Sequence, residues 1–182
     1  MVLIGIDASF RSTGITVLDD KDVIFYIITP HITKKQASDP LISYVEYDKT
    51  EDKTGRINNY ISVLQEIIKR HNPDTIVIED VPYMSRSSSV VDLALLNGAI
   101  RTLCHFLNIP CIAVGNTVWK KATICVGNAE KDFVVLNFIG LQPQFSSYTT
   151  KQINDIADSF FIAKWYAWGG QSIGERVEII DE

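Results

Sequence analysis

The sequence predicts an α/β domain built on a mixed five-stranded sheet with helices on both faces, and three observations point to it. Three β-type segments open the chain in close succession, which is the signature of an antiparallel meander. A helix, a strand, a second helix, a further strand and trailing helices then follow, the pattern of a sheet covered by helices. Finally, 182 residues with 46% hydrophobic and 21% charged content suit one folded domain with a substantial core.

Each element has a local reason. Val2-Leu3-Ile4-Gly5-Ile6 is almost wholly apolar until Asp7, as in a central strand buried on both faces that ends at a carboxylate. Ser12-Thr13-Gly14 is a turn signal, after which Ile15–Leu18 and Val23–Thr29 read as strands joined by the polar turn Asp19-Asp20-Lys21-Asp22. From Pro30 to Lys53 the chain is polar, contains Pro40 and keeps no period, so an irregular excursion is expected. Ile57, Ile61, Leu64, Ile67 and Ile68 fall at helical spacing before Asn72-Pro73-Asp74, predicting a helix over residues 55–71. Thr75-Ile76-Val77-Ile78 is a β-branched strand that ends at Glu79, repeating the pattern of Asp7. Beyond the cap-forming Ser85–Ser89 come a helix over Val90–Leu107, a strand over Ile109–Val114 and helices over Glu130–Phe138 and Ile153–Trp168, the last stopped by Gly169-Gly170. Residues 1–170 are therefore assigned to one domain and residues 171–182 to an acidic C-terminal tail.

Composition excludes several classes. No apolar run approaches the roughly 20 residues that cross a bilayer, and the N-terminus has no basic region or cleavage site, so a cytoplasmic protein without a membrane partner is expected. Cys104, Cys111 and Cys125 form an odd set without a CxxC pair, which argues against a disulfide framework or structural zinc and reads as buried apolar residues. With 17 basic and 22 acidic residues the net charge is −5, so any nucleic-acid surface must be local. His31, His71 and His105 have no ligand-spaced partner and read as structural or surface residues.

Four acids interrupt apolar elements: Asp7 and Glu79 at strand ends, and Asp155 with Asp158 in Asn154-Asp155-Ile156-Ala157-Asp158. Singly, each has a bland explanation, since an acid favours a helix start or ends a strand. Jointly they point to a metal site, because carboxylates three apart on a helix share a face and repel unless cations sit between them. Oxygen-only donors select Mg²⁺ or Mn²⁺. Two such ions about 4 Å apart activate water and stabilise the leaving 3′ oxygen in phosphodiester hydrolysis.

On these residues the sequence resembles the RuvC-type Holliday-junction resolvases of the RNase H-like, retroviral-integrase superfamily, in a bacteriophage version. Ile4-Gly5-Ile6-Asp7-Ala8-Ser9 with Thr13-Gly14 resembles the family's opening strand, with Ala8-Ser9 in place of its usual Pro-Gly. Ile78-Glu79-Asp80-Val81 with Tyr83-Met84 resembles its strand-end glutamate and nearby aromatic, with Pro82 inserted. Val118-Trp119-Lys120-Lys121 and Gly127-Asn128-Ala129-Glu130-Lys131 resemble its basic segment, and Asp155-Ile156-Ala157-Asp158-Ser159 its closing acidic run. The resemblance implies an RNase H-like fold and a metal-dependent endonuclease acting on four-way junctions and other branched DNA. It implies Asp7, Glu79, Asp155 and Asp158 as ligands of two Mg²⁺ or Mn²⁺ ions, with Asp7 bridging them.

In the same reading Lys131 neutralises charge on the scissile phosphate, Lys120 holds a flanking phosphate, and Tyr83 stacks on an unpaired base, worth roughly 1–3 kcal/mol. Arg86, Arg101, Lys120 and Lys121 supply the local basic surface. Before the resemblance is counted, solvated lysines and a half-buried loop tyrosine explain these residues about as well. A junction is roughly two-fold symmetric, so a homodimer is expected, with the helix over Val90–Leu107 as its contact. Two other classes share the same features: an RNase H-like nuclease for flapped or hybrid substrates, which a monomer would favour, and a non-catalytic junction-binding adaptor, against which the full set of four carboxylates argues.

Overall fold

Unbroken apolar sequence makes Leu3–Asp7 the central strand, β1, with Leu3 buried on one side and Ile4 and Ile6 on the other. A computed structural model describes residues 1–20, 22–50, 52–81 and 88–170. β2 (Thr13–Leu18) and β3 (Val23–Thr29) run antiparallel in turn from β1, as the meander predicts. The Asp19 amide donates to the Asp22 carbonyl at 2.9 Å to close the turn between β2 and β3. β5 (Thr75–Glu79) lies parallel to β1 on its other side, and β6 (Cys111–Val114) lies parallel to β5.

The mixed α/β fold stands as expected, but the sheet has six strands rather than five. The Pro30–Lys53 excursion is not irregular throughout: it holds a short helix, α1 (Lys34–Ala37), and an edge strand, β4 (Ile42–Glu46), parallel to β3. Spatial order is β4-β3-β2-β1-β5-β6. β4 was hidden because an edge strand pairs on one side only and buries just Ile42 completely, leaving no apolar run to mark it. The twelve or so residues of crossover from β3 are what a parallel connection needs.

Alternate residues of the strands feed two separate cores. Ile4, Ile6, Ile15, Val17, Ile76 and Ile78 pack under α2 (Lys53–His71) and α3 (Ser88–Phe106). Leu3, Phe25, Ile27 and Val77 pack under α4 (Asn116–Ile124), α5 (Lys131–Leu141) and α6 (Thr150–Ala167). Helices thus cover both faces. α4 is an addition to the sequence reading, whose buried side rests on Trp119 and Ile124 alone. Gly169 ends α6 with φ of 107°, a conformation that side chains with a Cβ resist.

The cysteine reading holds for Cys104, which is buried, whereas Cys111 is half-buried and Cys125 is exposed at the left-handed end of α4. Tyr26 Oη and His71 Nε2 are hydrogen-bonded at 2.7 Å, a structural use of that histidine. No helix among the described residues is long and apolar enough to cross a membrane. The expected tail, residues 171–182, lies outside the described residues.

Candidate active site

Strand register brings the first two acids together. Ile6 pairs with Ile78 across the parallel β1–β5 ladder, so Asp7 and Glu79 follow as the next residues on neighbouring strands, about 4.8 Å apart in backbone spacing. Period-two alternation turns both toward the face of Leu3 and Val77, the face that α6 covers.

Two glycines let α6 sit directly on the strands. A Cβ at Gly5 would overlap the Ser159 carbonyl oxygen, and one at Gly14 would overlap the carbonyl of Asp155. Because Gly14 pairs with Asp7 across the β1–β2 ladder, this contact delivers Asp155 to the end of β1. A hydrogen bond of 2.8 Å between the buried hydroxyls of Thr16 and Ser159 fixes the helix one turn further on. Asp155 and Asp158, three apart, share the helix face beside that contact.

Glu79 is held from the far side. Asn116 Nδ2 donates to both of its carboxylate oxygens at 3.0 Å, and Trp119 Nε1 donates to Oε2 at 2.9 Å. Behind it, the buried Asn97 amide donates to the Glu79 backbone carbonyl at 2.8 Å. Arg101 in turn donates to Asn97 Oδ1 and to Asp80 Oδ1, each at 2.8 Å, so this exposed arginine also braces the site.

The acids repel one another. Burial, followed by the charges of Asp158, Glu79 and Asp155, holds the Asp7 carboxyl well above the usual carboxylate range, with Lys131 opposing. Burial also pushes Asp158 up to about 7, with Lys120 opposing and Glu79 adding to the rise. Asp155 is raised by burial, against hydrogen bonds from Ser12 and Asn154 and the charge of Lys131. Four carboxylates facing one another at a strand end are an all-oxygen donor set suited to hard divalent cations, and their repulsion is what a cation would relieve. Among the described residues no three His, Cys, Asp or Glu side chains already close into an ion cage.

Lys120 Nζ donates to the Ala129 carbonyl at 3.1 Å and lies 5.3 Å from the centre of the Trp119 ring. Lys131, exposed at the start of α5, acts on all three aspartates. Lys121 is exposed and makes no hydrogen bond or ion pair with the described residues. Tyr83 and Arg86 lie outside the described residues. Sequence reasoning passed over Ser12, Asn97, Asn116 and Trp119. Of these, Trp119 carried a signal, since most buried indole N–H groups have an acceptor, Trp165 being an exception among the described residues.

A family profile described as crossover junction endodeoxyribonuclease RuvC matches residues 3–163, nearly all of the described chain. The chain belongs to the RuvC family. Among curated RuvC crossover junction endodeoxyribonucleases, that of Orientia tsutsugamushi is 28% identical over 131 residues, 72% of this chain and 75% of the relative. That of Oleidesulfovibrio alaskensis is 25% identical over 145 residues, covering 78% and 80% of the two chains. Thermus thermophilus RuvC superposes with a TM-score of 0.65 at 18% identity, over 93% of this chain and 97% of that one. The yeast mitochondrial Holliday junction resolvase Ydc2 gives 0.61 at 16% identity, over 91% and 78%. These structures share the RNase H-like fold of RuvC with this chain.

Proposed function

We propose that this RuvC-family protein is a divalent-metal-dependent endonuclease that resolves four-way DNA junctions by phosphodiester hydrolysis, with residues 1–170 as its nuclease domain. One observation carries the reading: Asp7, Glu79, Asp155 and Asp158 converge at one end of the sheet in mutual repulsion. A solved structure of T. thermophilus RuvC holds a Holliday junction substrate, which supports the substrate class.

Asp7, Glu79, Asp155 and Asp158 would hold two Mg²⁺ or Mn²⁺ ions, which when bound supply an activated water and charge stabilisation at the leaving oxygen. Asn116 and Trp119 hold and orient the Glu79 carboxylate. Lys131 places a cation where negative charge builds on the phosphate, and Lys120 holds a flanking phosphate. Tyr83, Arg86 and Lys121 complete the DNA surface in this reading. Exposed Val91 and Leu95 on α3, 52% and 46% accessible, support a homodimer through that helix. A bacteriophage source and action in the host cytoplasm follow from the resemblance.

The deciding experiment incubates the protein with a mobile four-way junction and with linear duplex, in Mg²⁺ and in chelator. Paired nicks in the junction, seen only with Mg²⁺, are expected. Equal cutting of duplex would replace junction resolution with a less selective nuclease, and binding without cutting would make the protein an adaptor.

A further inference from the structure

The carboxylates have a basic neighbour that the proposed mechanism does not use. Between the β1–β2 loop, the β3–β4 crossover and the first turn of α6 lies a cavity of about 370 Å³, lined by Arg11, Ser12, Lys35, Tyr44, Lys151 and, at its inner edge, Asp155. Arg11, Lys35 and Lys151 are exposed, and their charged heads form no ion pair among the described residues. A further acid on the cavity wall, Asp39, is already engaged: its Oδ1 accepts from the amides of Leu41 and Ile42 at 2.9 and 3.0 Å and from the Tyr148 hydroxyl at 2.9 Å.

Against the two carboxylates on the cavity wall, Asp39 and Asp155, the three cations leave a local positive excess in a chain of net charge −5. Lys151 adds to the excess, because α6 has no acidic residue in its first turn and its positive dipole end faces the same space. The pocket's outer, basic side therefore favours an anionic ligand such as a phosphate group. Sharing Asp155 with the carboxylate site ties that ligand to the substrate, since a strand lying across the carboxylates must leave them past one end of the sheet or the other. Lys120 sits on α4, the helix that follows β6, whereas Lys35 sits on α1, the helix that precedes β4 at the opposite edge of the sheet.

Resting on the nuclease reading above, we propose that this pocket holds the phosphodiester backbone of the strand being cut, on the β4 side of the scissile phosphate, with Arg11, Lys35 and Lys151 as its phosphate contacts. The β3–β4 crossover is then a DNA-binding element and not merely an edge closure. Ser12 and Arg11, from the same loop, line this cavity together with Asp155, so the two sites share a wall.

The test measures binding of a fluorescent four-way junction to the full chain in chelator between 50 and 200 mM KCl, and Mg²⁺-dependent cleavage in parallel. Each lost phosphate contact lowers the slope of log K against log salt by about 0.9. The K35A/K151A double variant should lose between one and two of slope and bind roughly tenfold more weakly, while kcat at saturating junction stays within about twofold. Lys35→Glu should weaken binding further, and Lys69→Ala, on α2, should change nothing. If K35A/K151A keeps the wild-type slope and affinity in a protein that cuts junctions, or if Lys69→Ala weakens binding equally, the pocket is not on the DNA path and the nuclease reading stands. A wild-type chain that neither binds nor cuts DNA overturns both.

Discussion

Gly14 lies so close beneath Asp155 that any Cβ at residue 14 would overlap the Asp155 carbonyl oxygen and stand 2.9 Å from the Ile156 amide nitrogen. That contact places an acid from residue 155 beside one from residue 7. Gly14→Ala should therefore push α6 off the sheet. The expected cost is about 1–3 kcal/mol of stability, with loss of cleavage beyond what the fall in melting temperature explains. Wild-type activity in that variant would show that the helix contact does not set the site.

Asp7→Asn removes the acid on which three others press. Cleavage in Mg²⁺ should vanish while junction binding in chelator persists, and the metal-free variant should melt higher than wild type because repulsion is relieved. Gel assays and differential scanning fluorimetry read the two effects; cleavage at the wild-type rate would remove Asp7 from the site.

Trp119→Phe keeps the buried ring but deletes the N–H that Glu79 Oε2 accepts at 2.9 Å. The Mg²⁺ concentration for half-maximal cleavage should rise roughly 10- to 100-fold, the usual effect of losing a partner that orients a ligand. Asn116→Ala should act in the same direction. An unchanged Mg²⁺ titration would make these hydrogen bonds structural only.

The metal-free protein should lose stability as pH rises. Asp158 titrates near 7 in the fold against 3.8 for the free side chain, and Asp7 is shifted the same way. Between those values the native state holds protons that the unfolded chain has released. Their stabilising contribution is thus complete below about pH 4 and disappears as pH passes 7. Melting temperature in chelator should be higher at pH 5.5 than at pH 8, and Mg²⁺ should restore it at pH 8. A flat profile would mean the acids are not mutually destabilising.

Leu95→Glu places a charge on the exposed apolar side of α3, away from the carboxylates. If that face joins two copies, light scattering should show the mass fall from dimer to monomer, with paired junction cuts replaced by single nicks. A wild-type monomer would move the contact elsewhere or discard it.

Local chemistry alone determined much of this protein. Apolar runs ending at Asp7 and Glu79 identified the two strands that carry acids, and Asn72 and Gly169 marked where α2 and α6 stop. Helical spacing put Asp155 and Asp158 on one face. These features are legible because each depends on neighbours within a few residues. Tertiary structure decided the rest. The β4 edge strand exists only through pairing with β3, so Ile42–Glu46 looked like irregular chain. Arg101 read as basic surface, and only the fold shows that it also reaches Asn97 and Asp80 behind Glu79. Nor does any local pattern say that Asn116 and Trp119 will grip a carboxylate nearly forty residues earlier in the chain, or that Gly14 exists to admit a helix from residue 155. Those are contacts between segments far apart in sequence, and only the folded sheet brings their partners within reach.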